Sequence, residues 1–227
     1  QEVLVWSQLD HPNILPFLGI DVDLFPERFC LVSPWCNHGN VIKYLETHPK
    51  VDKMRIVSDI FDIAQGLKYL HSQNPAFVHG DLKAANILVS ELGCCLLADF
   101  GLSISVLQSS SSATGDPRGS TRWMDPEMFY PTYARASIST DMYALGCTIL
   151  EVVTGAPPFP EIHSDVAVIS HVMAGFRPLR PADGFSDELW EVVKECWVDS
   201  NKRPSIRDFV LMYSRIFREA KSGYSFV

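Results

Sequence analysis

The spacing of hydrophobic positions along the 227-residue chain changes several times, and each change marks an element. Val3, Trp6 and Leu9 recur at helical spacing until His11-Pro12-Asn13 stops the helix. Residues 14–23 (ILPFLGIDVD) and 28–35 (RFCLVSPW) read as two strands joined by a turn around Pro26 and Glu27. Asn40 opens a short helix over NVIKYLETH. Ile56, Ile60, Ile63, Leu67 and Leu70 then form one apolar stripe of a longer helix. NILVS, ELG and CCLLADF, from Asn86 to Phe100, read as a β-hairpin. Residues 103–118, rich in Ser, Thr, Gly and Pro, read as a surface loop. TDMYALGCTILEVVTG is apolar almost all round, which predicts a buried helix closed by Gly155. Three more helices are expected near Ser164, near Ser186 and at Ser205, where Asp208 completes a capping-box-like pair. The outline is a small mixed piece followed by a large helical piece, with no internal repeat or linker and a cleft near residues 33–40.

Composition narrows the function classes. With 47% hydrophobic residues the chain can build a proper core. The net charge of −8, from 27 acidic against 19 basic residues, argues against general binding to nucleic acid or a membrane surface. No apolar run is long enough to span a bilayer, and the start, with Glu2 and no basic stretch, does not read as a signal peptide. The six cysteines lie mostly in apolar runs and match neither a zinc site nor a disulfide framework. They read as buried thiols in a reducing, cytoplasmic setting.

Candidate chemistry concentrates in VHGDLKAANILV, residues 78–89, and in ADFGLS just after it. Asp81 and Asn86 lie in a turn between apolar runs, and Asp99 ends the next strand. Oxygen donors converging from adjacent turns suit Mg²⁺, which keeps substrate phosphates in its shell. A carboxylate beside them can orient a hydroxyl and accept its proton, and Lys83 can neutralise charge on a moving phosphoryl group.

HGDLKAANIL, followed by DFG and then by DPE, resembles the catalytic loop, metal motif and activation-segment end of a eukaryotic protein kinase. The likeness covers essentially the whole chain. GSTRWMDPE and CWVDSNKRPS look most like the tyrosine-kinase-like group, whose members mostly phosphorylate Ser or Thr. The resemblance implies an α+β protein-kinase-like fold with an incomplete small β-rich lobe and a mainly helical large lobe. Residues 1–33 match the end of helix C and strands 4 and 5 of the small lobe. Residues 34–39 match the hinge and 40–227 the large lobe, with an activation segment at 99–127. The implied reaction is transfer of the ATP γ-phosphoryl group, with Mg²⁺, to Ser or Thr of a protein substrate. By this likeness Asp81 is the catalytic base, Lys83 stabilises phosphate, and Asn86 and Asp99 hold metal. Ser120 faces the catalytic loop and Ser33 is the gatekeeper. The Pro34 carbonyl and Cys36 N–H meet the adenine edge, above Leu88. Glu2 matches the helix-C glutamate. Trp6, Phe17, His79 and Phe100 match the stack that couples the lobes, anchored by Asp141, which should accept N–H groups near His79 and Gly80. Glu127 and Arg203 match an ion pair tying the activation segment down. On their own chemistry, His79 reads as a packed core histidine, Trp123 and Trp197 as packing aromatics, and Ser109–Ser112 as a solvated loop.

Three departures from the pattern modify this reading. Gly80 replaces an arginine that usually receives an activating phosphate, so activity should not depend on phosphorylating Ser109–Ser112 or Thr114. Asp125 stands where a small alanine is usual. No glycine-rich loop or VAIK-type lysine precedes Glu2, so the chain reads as a piece of a longer kinase and alone should bind ATP weakly and transfer phosphate poorly. The rival reading is a non-catalytic kinase-like scaffold or binding protein. A small-molecule kinase is a third, disfavoured by the long segment ending in GSTRWMDPE.

Overall fold

The structure is a computed structural model that describes residues 2–25, 29–49, 53–100, 104–105, 120–130 and 135–223. The chain opens with α1 (Glu2–Trp6), β1 (Gly19–Asp21) and β2 (Cys30–Val32). The two strands pair antiparallel with Ile20 opposite Leu31. They are shorter than the apolar runs suggest. Pro16 has no N–H to give a ladder, and the neighbouring Leu15 is used elsewhere. Its N–H donates to the Leu97 carbonyl at 2.8 Å, and its own carbonyl accepts the Trp6 indole N–H at 2.6 Å. The expected turn at Pro26 and Glu27 lies outside the described residues.

The larger part begins with α2 (Val41–Thr47) and α3 (Lys53–His71). Asn40 caps α2 by accepting the Lys43 N–H at 2.9 Å. Ile60, Ile63, Leu67 and Leu70 of α3 are fully buried, each contributing roughly 2 kcal/mol. β3 (Phe77–Val78) follows, then β4 (Ile87–Val89) and β5 (Cys95–Leu97), which form the expected hairpin with Leu88 opposite Leu96. β6 (Ile104–Ser105) pairs with β3, so these two residues are strand where the sequence suggested loop. The rest of that stretch, 103 and 106–118, lies outside the described residues.

Helix α4 (Ile138–Thr154) runs through the core, with thirteen consecutive buried residues from Thr140 to Val152. Ser137 and Thr140 form a capping box at its start. Gly155 ends it in the left-handed conformation, φ 69°, that glycine adopts without a Cβ clash. α5 (Asp165–Met173), α6 (Asp187–Glu195) and α7 (Ile206–Gly223) complete the order. Ser164 and Ser186 cap the first two, and Ser205 shares hydrogen bonds with Asp208 at the head of the third. α7 packs on α3 through Phe61, whose ring stacks on Phe217 with centroids 4.5 Å apart. The chain therefore has the α+β architecture expected: short paired strands at the front and a helical body behind. Cys95, Cys147 and Cys196 are buried, and burial pushes the Cys196 thiol up to about 12. Cys94 is exposed, contrary to the core reading, because it precedes β5 at the hairpin turn.

One buried charge lies under that hairpin. Asp59 of α3 is fully buried, 2.8 Å from the Arg55 guanidinium, and accepts from the Cys95 thiol at 3.4 Å. Burial disfavours its charged form more than Arg55 favours it, and its carboxyl is raised to about 6. The folded protein therefore holds this proton at pH values where the unfolded chain, titrating near 4, has lost it. Stability from this site is complete below the unfolded value and falls as pH rises through about 6. Urea titrations at pH 4.5 and pH 7 should show wild type losing on the order of 2 kcal/mol relative to Asp59→Asn. Parallel behaviour of the two proteins would contradict this.

Candidate active site

The β4–β5 hairpin fixes one wall of the site. The Ala98 N–H donates to the Asn86 carbonyl at 2.9 Å, which places Asn86 and Asp99 at the same end of the hairpin. Residues Ala84–Asn86 form a 3₁₀ turn leading into β4. It turns the Asn86 side chain back, so that its Nδ2 donates to the Asp81 carbonyl at 2.8 Å and to Asp81 Oδ2 at 2.9 Å. The amide oxygen of Asn86 is thereby directed away from Asp81. Asp99 is exposed and left-handed, φ 64°, a conformation that costs a non-glycine residue of order 1–3 kcal/mol and that Asp tolerates better than most.

Lys83 bridges the loop to the segment that follows it in space. Its Nζ donates to Asp81 Oδ2 at 2.7 Å and to Ser120 Oγ at 2.6 Å. Burial pushes the Asp81 carboxyl up, but the bonds from Lys83 and Ser120, the Lys83 charge and the Asn86 amide outweigh it, and the net shift is downward. Asp81 is therefore an ionised, oriented acceptor at neutral pH.

His79 is fully buried. Its Nδ1 accepts the Asp81 N–H at 3.3 Å and its Nε2 meets the Ala98 carbonyl at 3.1 Å, which assigns the proton to Nε2. Burial pushes its pKa down despite Asp141 and Asp81, so the ring is neutral. It supports the loop rather than moving protons. Phe17, Trp6, Phe100 and His79 lie in a continuous column with successive centroids 5.3, 5.8 and 5.7 Å apart. Beneath it the buried Asp141 carboxylate accepts the His79 N–H at 2.8 Å and the Gly80 N–H at 2.9 Å, and also meets His71 Nε2 at 2.8 Å. Gly80 has φ 80°, so any side chain there would cost about 1 kcal/mol or more.

The segment before α2 passes beside this hairpin. The Val89 N–H donates to the Gly39 carbonyl at 2.9 Å, and Leu88 bridges to Asn40. Cys36 and Leu88 are partly buried against the core, Ser33 is half-buried and Pro34 is exposed. The side chain of Glu2 lies outside the described residues, as do Ser109–Ser112 and Thr114.

The expected Glu127–Arg203 pair is not what forms. Arg203 pairs with Asp125 through Nη1, while Glu127 accepts from the Ser200 hydroxyl. Asp125 caps the 3₁₀ turn Pro126–Phe129, and this conformation sends its carboxylate inward, next to Arg203.

Glu151 was missed altogether, although a carboxylate in so apolar a helix is itself a signal. Its Oε2 accepts the Ala84 N–H at 2.8 Å and the Trp123 indole N–H at 2.9 Å, joining the loop that carries Asp81 to the segment carrying Ser120. Burial raises its pKa although both bonds oppose this. Arg122 was missed too. It donates to the carbonyls of Pro158, Phe159 and Ile162 and pairs with Asp165 at 2.9 Å, fastening the same segment to the loop before α5. Trp197 packs in the core and donates to the Tyr143 carbonyl at 3.3 Å.

A half-buried carboxylate held by a lysine that also reaches a serine of a second segment, and by the nitrogen of an amide whose oxygen points elsewhere, can orient a hydroxyl and accept its proton. Comparison with known proteins agrees. Residues 1–212 match the family model described as protein tyrosine and serine/threonine kinase, and the chain belongs to the protein kinase family. It is 32% identical over 222 residues to the serine/threonine-protein kinase VIK of Arabidopsis thaliana, covering 95% of this chain and 49% of that protein. It is 34% identical over 214 residues to mitogen-activated protein kinase kinase kinase 2 of the same plant, covering 92% of this chain and 32% of that protein. To the Arabidopsis serine/threonine-protein kinase CTR1 it is 28% identical over 227 residues, covering 97% of this chain and 27% of that protein. The chain thus spans about half or less of the length of these curated relatives.

The Lys83 bridge makes a direct prediction. In a carboxyl-detected NMR titration Asp81 should ionise below the range of a free aspartate, and Lys83→Met should raise its midpoint. An unchanged midpoint would show that the ammonium does not set the charge of Asp81.

Proposed function

We propose that the full-length protein transfers the γ-phosphoryl group of ATP to Ser or Thr hydroxyls of protein substrates. The observation that carries this reading is the bifurcated Lys83 ammonium, shared between Asp81 Oδ2 and Ser120 Oγ. It ties the group that would receive an acceptor hydroxyl to the segment along which a peptide would lie. The Asp81 carboxylate accepts the hydroxyl's hydrogen bond and aims its oxygen. As the new O–P bond forms and the bond to the leaving ADP breaks, the hydroxyl proton passes to Asp81. Because Asp81 is a weak base, its main contribution is orientation. Lys83 balances the charge that develops on the moving group.

The residues present fit a hard dication. Asn86 offers its amide oxygen, since its nitrogen is committed to Asp81, and the exposed Asp99 offers a carboxylate. Mg²⁺ held there would neutralise charge on the nucleotide phosphates. In the hinge, among the described residues, the Pro34 carbonyl and Cys36 N–H enter no backbone hydrogen bond, which leaves them for a purine edge beside Leu88. Proline at 34 is compatible, because only its carbonyl would be used. Gly80 supports constitutive use of the loop. It adopts the left-handed backbone at little cost and offers no side chain to a phosphate.

Asp81→Asn in the full-length protein should lower kcat for a Ser/Thr peptide by at least a hundredfold, with ATP affinity within about threefold. Alanine at Ser109–Ser112 and Thr114 together should leave kcat within about threefold. Equal turnover by Asp81→Asn and wild type would remove the assignment of Asp81. No turnover by either would favour the scaffold reading.

A further inference from the structure

We infer that Asp125, and not Glu127, is the carboxylate that positions the Ser120–Tyr130 segment on the helical body. The functional consequence of this rests on the kinase reading above. Asp125 is 1% exposed, and the Arg203 side chain facing it is 3% exposed. Arg203 is committed around that pair. Its Nε donates to the Val198 carbonyl at 3.0 Å, and its Nη1 also donates to the Ser139 carbonyl at 2.9 Å and hydroxyl at 3.2 Å. Its guanidinium lies 5.4 Å from the centre of the Tyr143 ring. A cation so enclosed needs a compensating anion, and Asp125 is the one that reaches it.

Asp125 also does a second job. Its Oδ1 accepts the Glu127 N–H at 2.8 Å, capping the turn whose first residue is Pro126. One carboxylate thus sets both the start of the turn and its attachment to the body. Glu127, one step inside the turn, is left to a neutral partner, the Ser200 hydroxyl, for which a carboxamide oxygen would serve as well. The segment so anchored carries Ser120 on Lys83, Arg122 on the loop before α5, and Trp123 on Glu151. Asp125 is a positioning residue. It acts through these three side chains and touches no reacting atom.

Asparagine caps helices as well as aspartate does, so Asp125→Asn removes the ion pair while retaining an acceptor for the Glu127 N–H. Glu127→Gln removes only a charge. The readout is the Trp123 indole N–H resonance, assigned by substitution in ¹⁵N-labelled protein. It reports the Glu151 contact whether or not the protein turns over. Asp125→Asn should displace or broaden this resonance and lower kcat/KM for a protein substrate at least tenfold, with ATP affinity within twofold. Glu127→Gln should leave the resonance in place and kcat/KM within about twofold. If Asp125→Asn does not fold, the Glu127→Gln spectrum decides alone. A displaced resonance in Glu127→Gln, or equal displacement in the two variants, overturns the proposal. Absence of turnover in the wild type would strike the kinase reading and leave the resonance to judge the anchor.

Discussion

The site depends on one buried carboxylate. Asp141 sits near the start of α4, where burial would be costly without partners, and it accepts N–H groups from His79 and Gly80 as well as meeting His71. Those two amides begin the loop that carries Asp81. Fixing them fixes the left-handed backbone at Gly80, and that in turn sets the direction in which Asp81 leaves the loop. Everything placed by Asp81, from the Lys83 bridge to the Asn86 amide, follows from that attachment. The aromatic column from Phe17 to His79 stands on the same point.

Helix α4 does this work because it is buried on all sides yet carries two carboxylates on its length. Asp141 holds the start of the loop and Glu151, farther along, holds its middle through the Ala84 N–H. Glu151 also reaches Trp123, so one rigid helix references both the loop that carries Asp81 and the segment opposite it. Arg122 and Asp125 fasten that segment at two further points. A groove built this way has walls set by side-chain to backbone bonds to a common body, and hydrogen bonds to charged groups are the stronger kind.

Much of this was legible in the sequence for a physical reason. Asp81, Lys83, Asn86 and Asp99 stand in short motifs whose groups suit one chemistry at close spacing, and the structure places three of them in direct contact. Helices with a clear period and a capping serine, such as α5 and α6, were readable from local chemistry alone. What was not readable depends on distant partners. The β3–β6 pair is two residues long, too short for any period to register. The early strands ended sooner than their apolar runs because Leu15 is spent on Trp6 and Leu97. Asp125 looked like an unexplained charge because its partner, Arg203, is 78 residues away. The likeness to other kinases assigned that arginine to Glu127, and only the three-dimensional path of the Pro126–Phe129 turn shows which carboxylate faces inward.

Amide hydrogen exchange at His79 and Gly80 tests the role of Asp141 most directly. If its carboxylate holds the loop, both amides open only with large-scale unfolding, and their protection should approach that of the buried core of α4. Exchange at these two positions as fast as at the exposed Ala85 would contradict the account.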